Sequence, residues 1–277
     1  MPDTVQCTIH GETQQAFVCS HLAEQSHGLG FNREDPSADD PFPDAWCDNC
    51  ELIRATHDGW NDESEKLTTI KLLCSGCYER TRIRNTKPNV TLDDLAGLQW
   101  KCGSCEEWHT GPMLDVGFDS PHYWPEDHET GSRWTVLASG AIDSSCGTFL
   151  DADYCAVDNE SFFVRGVLEV PIVGTGEDFR WGIWGSLSRV NFETLIRADH
   201  SGECIEKREM FSWLSTSIPN YSETLSLKMT VSIREPGWRP LFILERSDHP
   251  LAKEFYEGIT PERVKEIMFR ALPPQPE

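Results

Sequence analysis

Basic side chains are scarce in this chain: 24 Lys and Arg stand against 46 Asp and Glu, for a formal net charge of −22. The deficit runs the whole length, with 8 against 15 in residues 1–90 and 16 against 31 in the remainder. Neither part offers the positive face that a phosphate backbone requires, so nucleic acid is not expected as a partner, and the acidity points to a basic protein instead. Long apolar runs are missing as well. No stretch of about 18 apolar residues is present, which argues against a helical membrane span. The opening Met1-Pro2-Asp3-Thr4-Val5-Gln6-Cys7 has neither the basic nor the apolar segment of a secretory signal. These absences predict a cytoplasmic protein, whose thiols stay reduced. The familiar catalytic signatures are also absent: there is no Gly-rich phosphate loop, no Gly-x-Ser-x-Gly elbow and no His-Glu-x-x-His.

Cysteine is what the chain has. Eleven of them, in a reducing compartment, read as metal ligands and buried thiols, and the odd number argues against complete disulfide pairing. Cys47-Asp48-Asn49-Cys50 and Cys74-Ser75-Gly76-Cys77 are two Cys-x-x-Cys knuckles. Each offers two thiolates at the spacing of one tetrahedral zinc, and together they make a four-thiolate shell. A redox dithiol is the competing reading for a single knuckle; a second copy without a thioredoxin-like pattern weighs against it. Upstream, Cys7-Thr8-Ile9-His10 and Cys19-Ser20-His21 supply two thiolates and two imidazoles, a Cys₂His₂ set, unless they are only buried cysteines and surface histidines. The spacing leaves the pairing open. Either Cys7 and His10 join Cys19 and His21 locally, or the four pairs interleave in a cross-brace around two ions.

Around these ligands, Gln14–Val18 reads as a strand carrying Cys19 at its tip, and 51–57 and 77–84 read as short helices. The Pro- and Asp-rich stretch 28–44 reads as a surface excursion too polar to pack. Arg80, Arg82 and Arg84 form the one basic cluster of this part, expected as a solvated helix face. Large apolar residues are few, so metal ligation is expected to supply the folding free energy. Residues 85–89 make the best linker, dividing a zinc-binding module (1–90) from a second domain (91–277).

The second domain opens with a third knuckle, Cys102-Gly103-Ser104-Cys105, followed by His109. These give three ligands, with Cys155, Cys146 and His122 as candidates for the fourth. A closed structural site is the simpler expectation; an open position would hold a water and suit a metal-dependent hydrolase. Downstream, 133–139, 161–170, 180–187, 208–214, 225–234 and 240–245 read as strands. Ser188 caps a helix from Arg189 to about Ala198, and Thr260 caps the last, with Pro261 at its first position and Val264, Ile267, Met268 and Ala271 along one stripe. The order predicts an α+β fold with a mainly antiparallel sheet.

Several of these segments together resemble a known family. Cys102-Gly-Ser-Cys105 with His109, Asp153-Tyr154-Cys155 leading to Phe162-Phe163-Val164-Arg165-Gly166, Trp181-Gly182-Ile183-Trp184, and His249-Pro250-Leu251-Ala252 with Glu257-Gly258-Ile259-Thr260 are similar to domain of unknown function 2199, from about residue 98 onward. The N-terminal third resembles an uncharacterised bacterial zinc-binding segment found ahead of some such domains. The resemblance implies a bacterial protein of undetermined activity and carries no catalytic residues. It does favour Cys155 as the fourth ligand beside Cys102, Cys105 and His109.

Three further residues invite functional readings. Arg165 interrupts an apolar strand and is expected to pair internally with Asp153 or Glu169, or else to capture an anion. Trp181 and Trp184, three apart on a strand, should face opposite sides, leaving one exposed as a partner anchor. Cys146, Cys155 and Cys204 are nucleophiles only in the sense that any thiol is. The reading that follows is an acidic adaptor or neutralising protein with structural zinc and a basic protein partner. A hydrolase built on Cys102, Cys105 and His109 is the rival, and a peroxide-sensitive zinc switch is a third possibility.

Overall fold

Helices and mostly antiparallel sheets mix along the chain, as expected of an α+β fold. The computed structural model describes residues 3–24, 27–102, 105–125, 127, 131–202, 205 and 209–271. They gather into two units. One comprises Met1–Pro112, Val170–Asp178 and Glu254–Glu277, the other Met113–Glu169 and Phe179–Lys253.

The first unit opens with β1 (Thr4–Cys7), β2 (Gly11–Cys19), α1 (Ser20–Ala23), β3 (Asn32–Arg33), β4 (Ala45–Trp46), α2 (Asp48–Thr56), β5 (Ile70–Cys74) and α3 (Ser75–Asn85). Its five-stranded sheet is centred on β2, which takes β1 and β5 antiparallel and meets β4 in parallel at Val18↔Ala45. Alternation along β2 buries Ala16 and Val18. With Leu22, Ala45, Trp46 and Tyr78 they form a small core that also takes in the sulfurs of Cys19, Cys47 and Cys50.

The stretch 28–44 is not the unpacked excursion its composition suggests. Leu29, Phe31 and Phe42 pack against that core. Phe31 and Phe42 meet the Tyr78 ring edge-on at 5.4 and 5.7 Å, and the Tyr78 hydroxyl donates to the Pro43 carbonyl at 2.6 Å. A few aromatics are enough to anchor a polar loop when one buried tyrosine receives them. The arginine cluster also differs from expectation. Arg80 and Arg84 pair with Asp178 at 2.9 and 3.5 Å, and Arg82 with Glu79 at 2.7 Å. An acid nearly a hundred residues away converts a basic face into a partly buried ion-pair network.

The unit continues with a two-stranded antiparallel hairpin, β6 (Gln99–Lys101) and β7 (Trp108–Thr110). The last helix, α6, belongs to it as well. It spans Pro261–Ala271; the Thr260 hydroxyl accepts from the Arg263 N–H, and Val264, Ile267 and Met268 are buried.

The second unit holds β8 (Asp115–Gly117), β9 (Thr135–Val136), β10 (Ile142–Asp143), β11 (Phe149–Leu150), β12 (Tyr154–Val157), β13 (Ser161–Pro171), β14 (Asp178–Leu187), α4 (Arg189–Ser201), β15 (Glu209–Trp213), β16 (Lys228–Ser232) and β17 (Leu241–Leu244); α5 spans Pro250–Glu257. Strands β9 and β10 make a separate hairpin, and the others form an eight-stranded sheet. In it β11 with β12, β12 with β13, β15 with β16 and β16 with β17 are antiparallel, while β13 with β17 and β14 with β8 are parallel. Strands β13 and β14 are nearly continuous apolar runs, the signature of strands covered on both faces. Ser188 caps α4 by accepting from the Asn191 N–H, and this helix sends Phe192, Leu195 and Ile196 inward. Trp134, Phe149, Tyr154 and Phe162 surround Phe192. Arg208, where the fourth predicted strand begins, and Cys204 lie outside the described residues.

Candidate metal centres

The four upstream ligand pairs are brought together, but not as a four-thiolate set. Cys7 and His10 gather with Cys74 and Cys77, while Cys19 and His21 gather with Cys47 and Cys50. Of the two arrangements left open by spacing, the interleaved one is formed. The reason is β2. Cys7 lies opposite Gly11, and Cys19 lies eight residues further along, roughly 26 Å of extended chain at about 3.3 Å per residue. The first Cys/His pair therefore sits at one end of the strand and the second at the other. The two helical knuckles close one end each: Cys47 precedes α2 and Cys74 precedes α3, so Cys50 and Cys77 come from the first turns.

Within the first group, His10 Nδ1 lies 3.3 Å from Cys74 Sγ, 3.6 Å from Cys77 Sγ and 3.7 Å from Cys7 Sγ, and the Cys7 and Cys77 sulfurs are 3.9 Å apart. Within the second, His21 Nδ1 lies 3.4 Å from Cys50 Sγ and 3.7 Å from Cys47 Sγ. A tetrahedral ion bound about 2.3 Å from sulfur and about 2.0 Å from nitrogen separates sulfur from nitrogen by about 3.6 Å and sulfur from sulfur by about 3.8 Å. The edges from His10 and the Cys7–Cys77 edge in the first group, and the two edges from His21 in the second, match those lengths, and all ligand atoms of each group lie within 4.8 Å of one another.

Their surroundings are those of ligands held in advance. The Cys77 N–H donates to Cys74 Sγ at 3.3 Å, and the Cys47 N–H to Cys19 Sγ at 3.4 Å. Thr68 Oγ1 donates to Cys50 Sγ at 3.7 Å. Such donors orient sulfur and disperse thiolate charge. Burial, aided by the nearby Arg80 guanidinium, lowers the His10 pKa and keeps its ring neutral, the state in which nitrogen ligates. Burial pushes the Cys50 thiol up to about 12 against the Thr68 hydrogen bond, with Cys19 and Cys47 adding to the rise, and burial beside Cys74 and Cys7 also raises Cys77. At Cys7 burial acts the same way but is outweighed by the N–H groups of His10 and Ile9, and its pKa falls. Three sulfurs crowded this closely cannot all ionise without a cation among them.

The glycine inside the second knuckle has a steric role. A Cβ on Gly76 would lie 2.6 Å from the His10 ring, so only glycine lets that imidazole reach the sulfurs. The Cys-x-Gly-Cys form is therefore a sequence signal for a ring packed over the knuckle.

Cys102, Cys105 and His109 form a third group on the β6–β7 hairpin. Cys105 Sγ lies 3.1 Å from His109 Nε2, and the His109 ring stacks on Trp100 at 4.7 Å and 22°. Trp100 is itself fixed by its Nε1–H to the Gly111 carbonyl at 3.1 Å. Cys105 is exposed, and among the described residues the group holds three ligands.

The expected fourth ligand is elsewhere. Cys155 lies on β12, fully buried against Phe163 and Trp184 in the second unit, and burial pushes its thiol up to about 12. It is an apolar-core cysteine. Cys146 donates to the Thr148 carbonyl at 2.8 Å, and His122 rests edge-on against Tyr123; neither joins a metal group.

The residues expected to meet a partner are also placed differently. Trp181 and Trp184 are both completely buried, because β14 is covered on both faces and strand parity exposes neither ring. Trp184 Nε1–H donates to the Phe118 carbonyl at 2.9 Å. Arg165 pairs with neither expected acid. Its Nη2 lies 3.8 Å from the exposed Asp119 carboxylate, its N–H donates to the Asp153 carbonyl at 2.8 Å, and the Asp153 carboxylate accepts from Arg239 at 2.7 Å. Burial and the neighbouring Arg239 charge lower its pKa.

This is an α+β protein whose first unit carries two interleaved Cys₃His groups and a further group of three, each of which could hold a metal ion, the first two in a cross-braced arrangement. The chain belongs to domain of unknown function 2199, a family described as an uncharacterized protein conserved in bacteria, whose model matches residues 101–259. That span contains the third group from Cys102 to His109 and the strands of the second unit, while the two interleaved groups lie ahead of it. No curated protein matches the chain, and no solved structure does. No helix among the described residues is long and apolar enough to cross a membrane.

Proposed function

We propose that this is a cytoplasmic zinc protein in which two Cys₃His sites hold the N-terminal module together and the acidic chain engages a basic protein as an adaptor or neutraliser. The observation that carries the structural role is the pair of four-ligand groups with tetrahedral edges of 3.3–3.9 Å. Zinc fits because three thiolates and one imidazole in a closed tetrahedron are soft, redox-inert ligation with no position left for substrate. Three thiolates and one Zn²⁺ leave each site at about −1, which adds to the chain's own −22. A surface so one-sided attracts basic partners and speeds their arrival.

The test is to isolate the partner from the bacterial host and titrate the purified pair across salt. A basic partner whose affinity falls steeply between low and high salt supports the reading. An acidic partner, or an affinity indifferent to salt, contradicts it.

One observation favours a second reading. In the Cys102, Cys105 and His109 group Cys105 is exposed and the other two are partly buried, and the group has three ligands among the described residues. Zinc held there would keep a position for water, the arrangement of a hydrolytic centre. On this reading Trp100 orients the His109 ring and the hairpin holds the sulfurs. Hydrolysis that is lost in Cys105→Ser while both Cys₃His sites remain filled would favour it over the adaptor.

A further inference from the structure

The second unit contains a cleft of about 500 Å³ whose walls include Tyr123, Glu160, Phe163, Ser186, Trp213 and Ser226. Among the described residues no lysine, arginine or histidine lines it, and the Arg189 guanidinium, 5.7 Å from the ring of the lining residue Phe162, is already paired with Glu193. An anionic ligand would therefore find no unpaired counter-charge there, in a chain that already repels anions.

The aromatic walls are presented, not merely exposed. Tyr123, half exposed, lies flat against Phe163 at 6.1 Å and 19°. Trp213 is 41% exposed and is held edge-on by Phe211 at 4.9 Å and 89°. Its backbone is fixed at both ends: its N–H donates to Ser186 Oγ at 3.3 Å, and its carbonyl accepts from Ser215 Oγ at 3.1 Å. Glu160 follows the sharp turn at Asp158 and Asn159, both with positive φ. Its carboxylate is exposed and takes part in no ion pair among the described residues. The two cations beside these residues are already engaged: Arg189 by Glu193 and Asn159, and Lys228, opposite Trp213 on β16, by Glu245 at 3.8 Å.

We infer that this cleft receives a lysine side chain of the basic partner, the ammonium between Glu160 and the serine hydroxyls and the methylene stem across Trp213 and Tyr123. The inference rests on the partner reading above and assigns it a point of contact. Aromatic faces attract cations, and a carboxylate at the end of an aromatic wall neutralises what they hold. A compact ammonium with three rotatable donors suits acceptors set apart, whereas a planar guanidinium seeks a bidentate carboxylate.

The experiment uses the full, metal-loaded chain and n-butylammonium chloride as probe, with n-butanol as its uncharged counterpart, followed by NMR chemical-shift titration. The expected result is saturable binding of the amine, with butanol at least about fivefold weaker. Glu160→Gln and Trp213→Ala should each weaken amine binding about fivefold or more, and Trp213→Phe should retain part of it. These side chains are exposed or half exposed, so unchanged thermal unfolding will show that the variants fold. Equal binding of butanol, no saturable binding, or indifference to Glu160→Gln overturns the inference. The purified basic partner then separates the two claims. If Glu160→Gln leaves its affinity unchanged, the cleft is not where it docks and this inference falls while the partner reading stands; a fivefold or greater loss supports both.

Discussion

His10 Nδ1 lies 3.3 Å from the sulfur of Cys74, a residue 64 positions away, while Cys19 and its His21 face a different knuckle altogether. That long-range pair ties α3 to the β1–β2 hairpin, as the Cys50–His21 pair ties α2 to the other end of β2. Neither helix has a strong apolar face of its own. The fold of the module is thus secured by ligation at both ends of one strand.

Because the ligand sets interleave, losing one sulfur should disturb both the hairpin and a helix. Cys50→Ser is expected to release one metal ion and to abolish much of the module's cooperative unfolding, since structural zinc contributes on the order of 10 kcal/mol to such small units. Zinc content by native mass spectrometry and circular dichroism checks this. A fully folded Cys50→Ser protein with its metal retained would contradict it.

The glycine of the knuckle offers a test that touches no ligand. Gly76→Ala places a methyl 2.6 Å from the His10 ring and should weaken metal binding at the Cys7, His10, Cys74 and Cys77 site by about tenfold or more. Gly97→Ala, with open space around its Cβ position, should leave it unchanged. Competition with a chromophoric chelator measures both.

The module should lose stability on acidification. Burial and neighbouring thiols raise Cys50 from its ordinary 9.0 to about 12 and also raise Cys77, so metal must displace firmly held thiol protons. Affinity therefore rises with pH and falls as protons compete for the sulfurs. Competition with a chelator across pH measures this, and an affinity indifferent to pH would contradict it.

Trp184→Ala is expected to cost about 3–5 kcal/mol of stability and to unfold the second unit, because it empties a fully buried ring site and orphans the Phe118 carbonyl. Chemical denaturation measures this. A variant of normal stability that has lost only its partner would restore the ring to the role of an anchor.

Much of this was readable in the residues themselves. Ser188 and Thr260 mark the starts of α4 and α6, the apolar runs mark β13 and β14, and the four Cys/His pairs mark eight ligands. What local pattern cannot supply is which distant element arrives. Strand parity assigned Trp181 and Trp184 to opposite faces correctly in principle, yet both faces of β14 are covered. Arg80 and Arg84 looked solvated because Asp178 is so far along the chain. Cys155 looked like a ligand because of its motif and proved to be core because of Phe163 and Trp184. The pairing of the knuckles was nearer to hand: a strand of nine residues between Cys/His pairs already makes a shared ion hard to reach.

Cadmium-113 substitution with proton correlation tests the interleaved arrangement most directly, because it reports which cysteine protons couple to which ion, whereas an averaged sulfur count is the same for two Cys₃His sites as for one Cys₄ and one Cys₂His₂ site. One cadmium should couple to Cys7, Cys74 and Cys77, and a second to Cys19, Cys47 and Cys50. A single cadmium coupled to Cys47, Cys50, Cys74 and Cys77, or a folded chain that takes up no cadmium at all, would contradict the account.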